Sequence, residues 1–260
     1  MRFALINGQR QEAQPGLRGA CPVCGDPTVA KCGNVRINHW AHLGKLACDP
    51  WWEETQWHRD WKALFPVECQ EVIQYDPSGE KHIADVKTGR GYVLEFQHSP
   101  LDPLERQKRE AFYQQMIWIV DGTRRSRDKS HLLRAVEDAT TINPTLWRLR
   151  GFWDECALLR DWHECRVQVV FDFGGTELWF LFPVDGTVYI AISRRDDFVE
   201  FHRTGSGEFT HFYPNLAQAI TADIAELRAQ ALLHRQQARA LVATGFQRYM
   251  AWRQRSRRRF

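Results

Sequence analysis

The chain has 260 residues, of which 43% are hydrophobic and 26% charged, and its formal net charge is only +3. This composition can form a sizeable core in one or two domains, and it excludes a disordered or fibrous protein. No run of about 18 apolar residues occurs, and the opening stretch MRFALINGQR lacks the apolar segment of a signal peptide. The seven cysteines, an odd number, fit a reducing compartment. We therefore expect a cytoplasmic protein that does not enter a membrane.

The first 50 residues contain two pairs of metal-ligating side chains, Cys21 and Cys24 in CPVCG and His39 and His42 in HWAH. Two thiolates and two imidazoles form the set that Zn²⁺ takes in structural sites. The histidine spacing is shorter than in most zinc fingers, so Cys48, or less readily Cys32, is an alternative fourth ligand. Little apolar periodicity is present, and a module without a core of its own needs a metal to fold. The pattern predicts a zinc-binding module over residues 1–50.

Residues 51–150 predict a core in the order helix, strand, strand, strand, helix, strand. The six segments are WWEETQWHRDWKALF, PVECQEVIQ, KHIADVK, GYVLEFQHS, DPLERQKREAFYQQ and MIWIVDG. The turn signals DPSGE and TGRG separate the three consecutive strands. The second helix has a clear start, because Asp102 suits the N-cap, Pro103 the first helical position and Glu105 a capping box.

Carboxylates mark the second and third strands of this core. Asp85 lies near the end of one strand, and Glu95 and Gln97 lie near the end of the next. Oxygen ligands of this kind suit hard cations such as Mg²⁺ and Mn²⁺. The strand pattern predicts that these side chains converge on one ion.

The first helix contributes a third acid. On a helical wheel of residues 51–65, tryptophan, leucine and phenylalanine side chains define one apolar face, and Glu54 falls in its middle. Because burying an unpaired carboxylate is costly, this position favours a metal ligand or a ligand to the metal's water. The open alternative is a rotated helix with Glu54 at the edge of the interface. His58, one turn further on, is a candidate for moving a proton or positioning water.

The resulting E…D…ExQ set is arranged as in the PD-(D/E)XK nuclease superfamily. Several motifs in one order resemble the competence protein CoiA family: CPxCG, HWAH, CDPWW, ETxWHxxWK, HIADVK, EFQHS and MIWIVDGTR. The resemblance covers about residues 20–125 and, more loosely, FDFGGTELWFLFP at 171–183. It implies a zinc-binding N-terminal region, a restriction-endonuclease-like core and a role in processing DNA.

One position departs from the superfamily pattern. Gln97 stands where the lysine that orients water or stabilises transition-state charge is usual. Lys87, two residues after Asp85, is one substitute for that charge, and His58 is another candidate for the missing role. The departure leaves two hypotheses: a metal-dependent deoxyribonuclease, or a non-catalytic protein that recognises single-stranded or branched DNA.

The expected mechanism is hydrolysis by metal-activated water, with Asp85 and Glu95 holding Mg²⁺ or Mn²⁺ and Glu54 in support. Residues 151–260 predict an antiparallel β meander, then helices, then the basic run RQRSRRRF. This region could bind DNA phosphates, close a homodimer or dock a partner protein. We therefore expect a fold of class α/β (α+β): an αβββαβ core with a small zinc module before it and a meander with helices after it.

Overall fold

The computed structural model describes residues 1–34, 36–44, 54–77, 79–113, 115–151 and 153–257, without the side chains of 250–257. The chain divides into two compact units, residues 1–210 and residues 211–260. The predicted domain boundaries at residues 50 and 150 both fall inside the first unit.

The first unit begins with a five-stranded antiparallel sheet in the order β2-β1-β3-β4-β5. Its strands are β1 (Phe3–Ile6), β2 (Gln9–Glu12), β3 (Arg18–Ala20), β4 (Pro27–Lys31) and β5 (His39–His42). We expected this module to lack a core, and that expectation is wrong. Trp40 is 2% exposed and packs in an apolar cluster with Met1, Ala4, Ala13 and Cys21. The Trp40 indole also donates to the Gln11 carbonyl over 2.9 Å.

The first unit also contains a nine-stranded mixed sheet, in the order β10-β11-β14-β13-β12-β9-β8-β7-β6. The strands are β6 (Gln70–Tyr75), β7 (Lys81–Lys87), β8 (Val93–Gln97), β9 (Met116–Asp121), β10 (Thr140–Asn143), β11 (Leu146–Arg148), β12 (Gln168–Asp172), β13 (Glu177–Val184) and β14 (Thr187–Arg194). Strand β9 runs parallel to β8 and β12, and the other neighbours are antiparallel. The meander expected after residue 151 corresponds to β12–β14, which extends the sheet of the preceding core.

The helices are α1 (Gln56–Ala63), α2 (Pro103–Phe112), α3 (Asp128–Glu137), α4 (Ala157–Trp162), α5 (Arg195–Thr204) and α6 (Phe212–Arg257). The predicted N-cap and the position of Pro103 at the start of α2 are confirmed, because the Asp102 carboxylate accepts from the Leu104 and Glu105 backbone N–H groups. The Glu105 side chain accepts from Arg109 of the same helix, and its predicted capping-box contact stays a prediction. The second unit is almost entirely α6. Among the described residues, no helix has the length and apolar character that crossing a bilayer requires.

The order α1-β6-β7-β8-α2-β9 follows the expectation for residues 51–121. Strand β9 is buried along its whole length, as its run of apolar residues suggests. Trp118 on β9 and Leu132 on α3 belong to the main apolar cluster of the unit. Strand β8 lies between β7 and β9, third from the β6 edge of the sheet, and this packing fixes the positions of the acids that β7 and β8 carry.

Candidate functional site: a carboxylate cluster around Lys62

Asp85 and Glu95 meet where the pairing between β7 and β8 ends. The last paired residues are Val86 and Leu94. Beyond them, the Asp85 backbone N–H donates to Glu95 Oε1 over 3.3 Å, and the Phe96 N–H donates to Asp85 Oδ2 over 3.0 Å. Each carboxylate thus accepts a backbone hydrogen bond from the opposite strand. The two acids that the sequence singled out are held together.

Lys62, on α1, places a positive charge against this pair. Its Nζ lies 3.1 Å from Asp85 Oδ1, 3.0 Å from Glu54 Oε1 and 3.2 Å from Glu71 Oε1. The residue is 4% exposed. Burial by itself would lower the pKa of Lys62, but the three carboxylates outweigh it and raise the pKa above its usual value. Lys62 is therefore a fixed ammonium at the centre of three acids.

Glu54 reaches the cluster from outside the helix. We placed it on the apolar face of α1, and that placement is wrong, because α1 begins at Gln56 with Thr55 as its N-cap. Burial opposes ionisation of Glu54, but the Lys62 and Arg59 charges lower its pKa to about 2. Arg59 Nε donates to Glu54 Oε2 over 3.1 Å. Glu54 is therefore an ionised partner of two cations.

The pKa of Glu95 is shifted in the opposite direction to that of Glu54. It is 2% exposed, and Arg109 of α2 donates to its Oε2 over 3.0 Å. Burial and the neighbouring Asp85 carboxylate raise the pKa of Glu95 to about 8, against the opposing effect of Arg109. Burial and Asp85 thus make Glu95 harder to ionise, and a divalent ion bound to it would favour the ionised form.

His58 joins α1 to β8. Its Nδ1 accepts from the Thr55 backbone N–H over 3.2 Å, which leaves Nε2 as the donor to the Phe96 carbonyl at 3.0 Å. Burial lowers the pKa of His58. Both ring nitrogens are thus engaged, and the geometry gives His58 a positioning contact. Its role in proton transfer stays a prediction.

Gln97 and Lys87 form hydrogen bonds with other partners than the acids. The Gln97 amide donates to the Ser99 carbonyl over 2.6 Å, and the Lys87 ammonium donates to the Gln74 side chain. In the described part of the chain, neither side chain has an ion pair or hydrogen bond with Asp85 or Glu95. The positive charge expected from Lys87 comes instead from Lys62 and Arg109. Sequence reasoning missed both, although Lys62 ends the WHRDWK segment that carries the apolar face of α1.

His98 follows β8 directly, and within the described residues its Nε2 has no hydrogen-bond partner. His98 Nδ1 lies 2.7 Å from Asp121 Oδ2, and the other Asp121 oxygen accepts from the Thr123 backbone and hydroxyl. The buried carboxylate orients the imidazole, whose side chain is 35% exposed. The ring centroids of His98 and His58 are 6.1 Å apart. His98 is the better placed of the two for proton exchange with solvent.

The donor set suits a hard cation that keeps much of its water. Asp85 and Glu95 supply two adjacent carboxylates, and the Asp85 side chain is 23% exposed. Among the described residues, no other Asp, Glu, His or Cys completes a compact group of three with them. Mg²⁺ is usually bound in proteins through one or two carboxylates with several waters retained. The binding of such an ion by Asp85 and Glu95 stays a prediction, and it requires that their contacts with Lys62 and Arg109 change.

A second candidate metal centre lies in the N-terminal sheet. Ligand atoms of Cys21, Cys24 and His42 all lie within 4.8 Å of one another, and this group could hold a metal ion. Cys24 Sγ is 3.3 Å from His42 Nε2. The turn between the cysteines closes through a Gly25 N–H to Cys21 carbonyl bond of 2.9 Å, with Gly25 at φ +77°. This positive φ explains the glycine of CPxCG.

His39 lies outside this group. It shares β5 with His42, but residues three apart on a strand point to opposite faces. Its Nδ1 instead lies 2.9 Å from the Ile37 carbonyl. Cys32 is not part of the group either, and Cys48 lies outside the described residues. Three of the four predicted zinc ligands, Cys21, Cys24 and His42, are thus brought together. The structure does not identify the fourth ligand.

Comparison with known proteins adds no relative. No family model, curated protein or solved structure matches the chain. The geometry of the two candidate sites therefore supplies the evidence on function.

Proposed function

We propose that the chain is a divalent-metal-dependent DNA nuclease with a restriction-endonuclease-like core. We further propose that it is related to the CoiA-like proteins, and that it acts in the cytoplasm in DNA uptake, recombination or defence. The observation that carries the proposal is the contact of Asp85 with both Glu95 and Lys62. An acid pair at the end of paired strands, with a lysine ammonium against it, contains the charges that phosphodiester hydrolysis needs.

In this mechanism Asp85 and Glu95 would hold Mg²⁺ or Mn²⁺, which when bound supplies an acidified water and screens the phosphate. Glu54 stays ionised and holds Lys62 in place. Lys62, whose ammonium is held by Glu54, Glu71 and Asp85, would offset the negative charge that develops on the phosphate through space, without a direct bond to it. Arg109 keeps Glu95 oriented toward Asp85. His98 exchanges a proton with solvent or with the leaving oxygen through its exposed ring edge.

The N-terminal sheet takes a structural role in this proposal. Cys21, Cys24 and His42 would bind Zn²⁺, the ion for which mixed thiolate and imidazole ligands are typical. The fourth ligand would come from Cys48 or another donor. A zinc ion here would stabilise the N-terminal sheet together with the small apolar core around Trp40.

A second candidate function is DNA binding without cleavage. The observation that favours it is that every acid of the cluster already has a built-in cation, Lys62 or Arg109. Gln97 adds no charge, because its amide is bonded to Ser99. If these pairs do not open, a divalent ion cannot enter.

One experiment separates the two functions. Single-stranded, duplex, flapped and branched DNA are incubated with the protein and Mg²⁺ or Mn²⁺. The wild type is compared with Asp85→Asn, Glu95→Gln and the control Asp60→Asn, an exposed carboxylate on α1. The nuclease proposal predicts cleavage that Asp85→Asn and Glu95→Gln abolish and Asp60→Asn preserves. Binding without cleavage by the wild type would favour the second function, and cleavage by all variants would refute the site.

A further inference from the structure

Helix α6 carries a concentration of positive charge that the net charge of the chain conceals. Residues 227–260 contain nine of the chain's 35 basic residues, all of them arginines, and none of its 32 acidic residues. The rest of the chain therefore holds 26 basic and 32 acidic side chains. A long helix with one sign of charge is an electrostatic surface for a polyanion.

The arginines share a face with aromatic side chains. With 3.6 residues per turn, the face is about 100° wide. It contains Arg228, Leu232, Arg235, Arg239, Val242, Phe246 and Tyr249. All side chains from 228 to 249 are exposed, and Phe246 and Tyr249 are 64% and 52% exposed. In the described part of the chain, no acidic side chain pairs with Arg235 or Arg239.

We propose that this face of α6 binds single-stranded nucleic acid. The arginines would contact successive phosphates, and Phe246 and Tyr249 would stack on bases, the combination that single-strand binders use. This interaction goes beyond the proposed nuclease activity and does not depend on it, since it needs no metal. It gives the chain a means of holding a strand whether or not the carboxylate cluster cleaves it.

Two other occupants fit the face less well. A second copy of the helix would bring like charges together, because no acid follows Glu226 in the sequence to pair with the arginines. An anionic membrane calls for apolar residues gathered on one side of the helix. Here Leu233 and Leu241 lie on the side opposite to Phe246, and the arginines stand among the aromatic side chains.

The test measures binding of a fluorescent single-stranded oligonucleotide to the full chain, without added divalent cations so that the probe stays intact. The variant Arg235→Gln/Arg239→Gln is compared with Arg248→Gln, whose side chain projects from the other side of α6. We expect the double variant to bind at least ten times more weakly at low salt. Its salt slope should fall by about 1.4, the value for two lost phosphate contacts on a single strand.

A second set of variants tests the stacking of bases on Phe246 and Tyr249. Phe246→Ala/Tyr249→Ala should weaken binding while leaving the salt slope unchanged, and Leu241→Ala on the opposite side should bind like the wild type. The proposal is overturned if the arginine double variant binds as tightly as the wild type, or if Arg248→Gln weakens binding as much. It is also overturned if anionic vesicles bind and the oligonucleotide does not, or if the arginine substitutions alter only self-association in sedimentation. This assay measures binding and not DNA cleavage. A negative result would therefore refute binding by α6 and leave the nuclease proposal untouched.

Discussion

Lys62 Nζ and Asp85 Oδ1 lie 3.1 Å apart, although the two residues come from a helix and a strand separated by 22 intervening positions. The contact puts a permanent ammonium beside the more exposed acid of the pair. In the proposed reaction this ammonium replaces the charge that Gln97 cannot supply.

Lys62→Met should lower DNA cleavage by about 100-fold or more, the usual cost of removing one preorganised charge from a transition state. It should also destabilise the fold by about 3–5 kcal/mol, because three carboxylates lose their shared cation. Lys62→Arg keeps the charge and separates the two effects. Lys87→Met is the matched control, since Lys87 contacts Gln74 rather than the acids. Equal losses for Lys62→Met and Lys87→Met would contradict the assignment.

Replacing Glu95 by Gln should change the stability of the protein relative to the wild type in a way that depends on pH. Burial, together with Asp85, raises the pKa of Glu95 from its ordinary value of 4.5 to about 8. The folded state therefore holds this proton more tightly, and the stability it contributes is lost as the pH rises from about 4.5 to about 8. Thermal unfolding of wild type and Glu95→Gln should show a melting-temperature difference that shifts in favour of the variant from pH 5 to pH 8. A constant difference would rule out the raised pKa.

Glu71 links the N-terminal strand to the cluster. Its carboxylate accepts from the Arg2 and Phe3 backbone N–H groups at 3.0 and 3.4 Å and from Lys62, and its φ is +48°. Glu71→Ala should cost about 3 kcal/mol through the broken buried pair. Glu71→Gly should cost about 1 kcal/mol less, because glycine adopts positive φ without strain. Denaturant unfolding checks both, with Glu68→Ala, an exposed neighbour, as the control. If Glu71→Gly were less stable than Glu71→Ala, backbone strain at residue 71 would be ruled out.

The two histidines of HWAH should differ in their effect on zinc. Freshly purified protein should contain about one zinc per chain, as a structural site does, and His42→Ala or Cys24→Ser should remove most of it. His39→Ala should retain the metal, because His39 lies on the other face of β5. Elemental analysis of the purified variants decides the point. Loss of zinc in His39→Ala, with retention in His42→Ala, would reverse the ligand assignment.

Local patterns in the sequence predicted the parts of the structure that depend on local rules. The N-cap at Asp102, the strands carrying Asp85 and Glu95, and the glycine turn of CPVCG each follow from short segments. The choice of His42 over His39 could also have been made from strand periodicity, had HWAH been taken as a strand. The start of α1 was signalled by Thr55, a good N-cap residue, which places Glu54 outside the helix.

The contacts of Lys62 could not be predicted in this way. Glu71 and Asp85 reach it from two different strands, and their meeting depends on how α1 packs on the sheet. Neither spacing nor periodicity encodes that packing, so the sequence analysis offered Lys87, and not Lys62, as a positive charge near the acids. The basic run RQRSRRRF was evident from the sequence, whereas the face of α6 that carries Arg235 and Arg239 depends on a single continuous helix over residues 212–257.

The central claim is that Asp85 and Glu95 together hold a divalent ion. Electron paramagnetic resonance of Mn²⁺ titrated into zinc-loaded protein tests it directly, because bound and free Mn²⁺ give different signals. We predict saturable binding in the wild type and in Asp60→Asn, and its loss in Asp85→Asn and in Glu95→Gln. Binding that is equally tight in Asp85→Asn and the wild type, or no binding in the wild type at all, would contradict the claim.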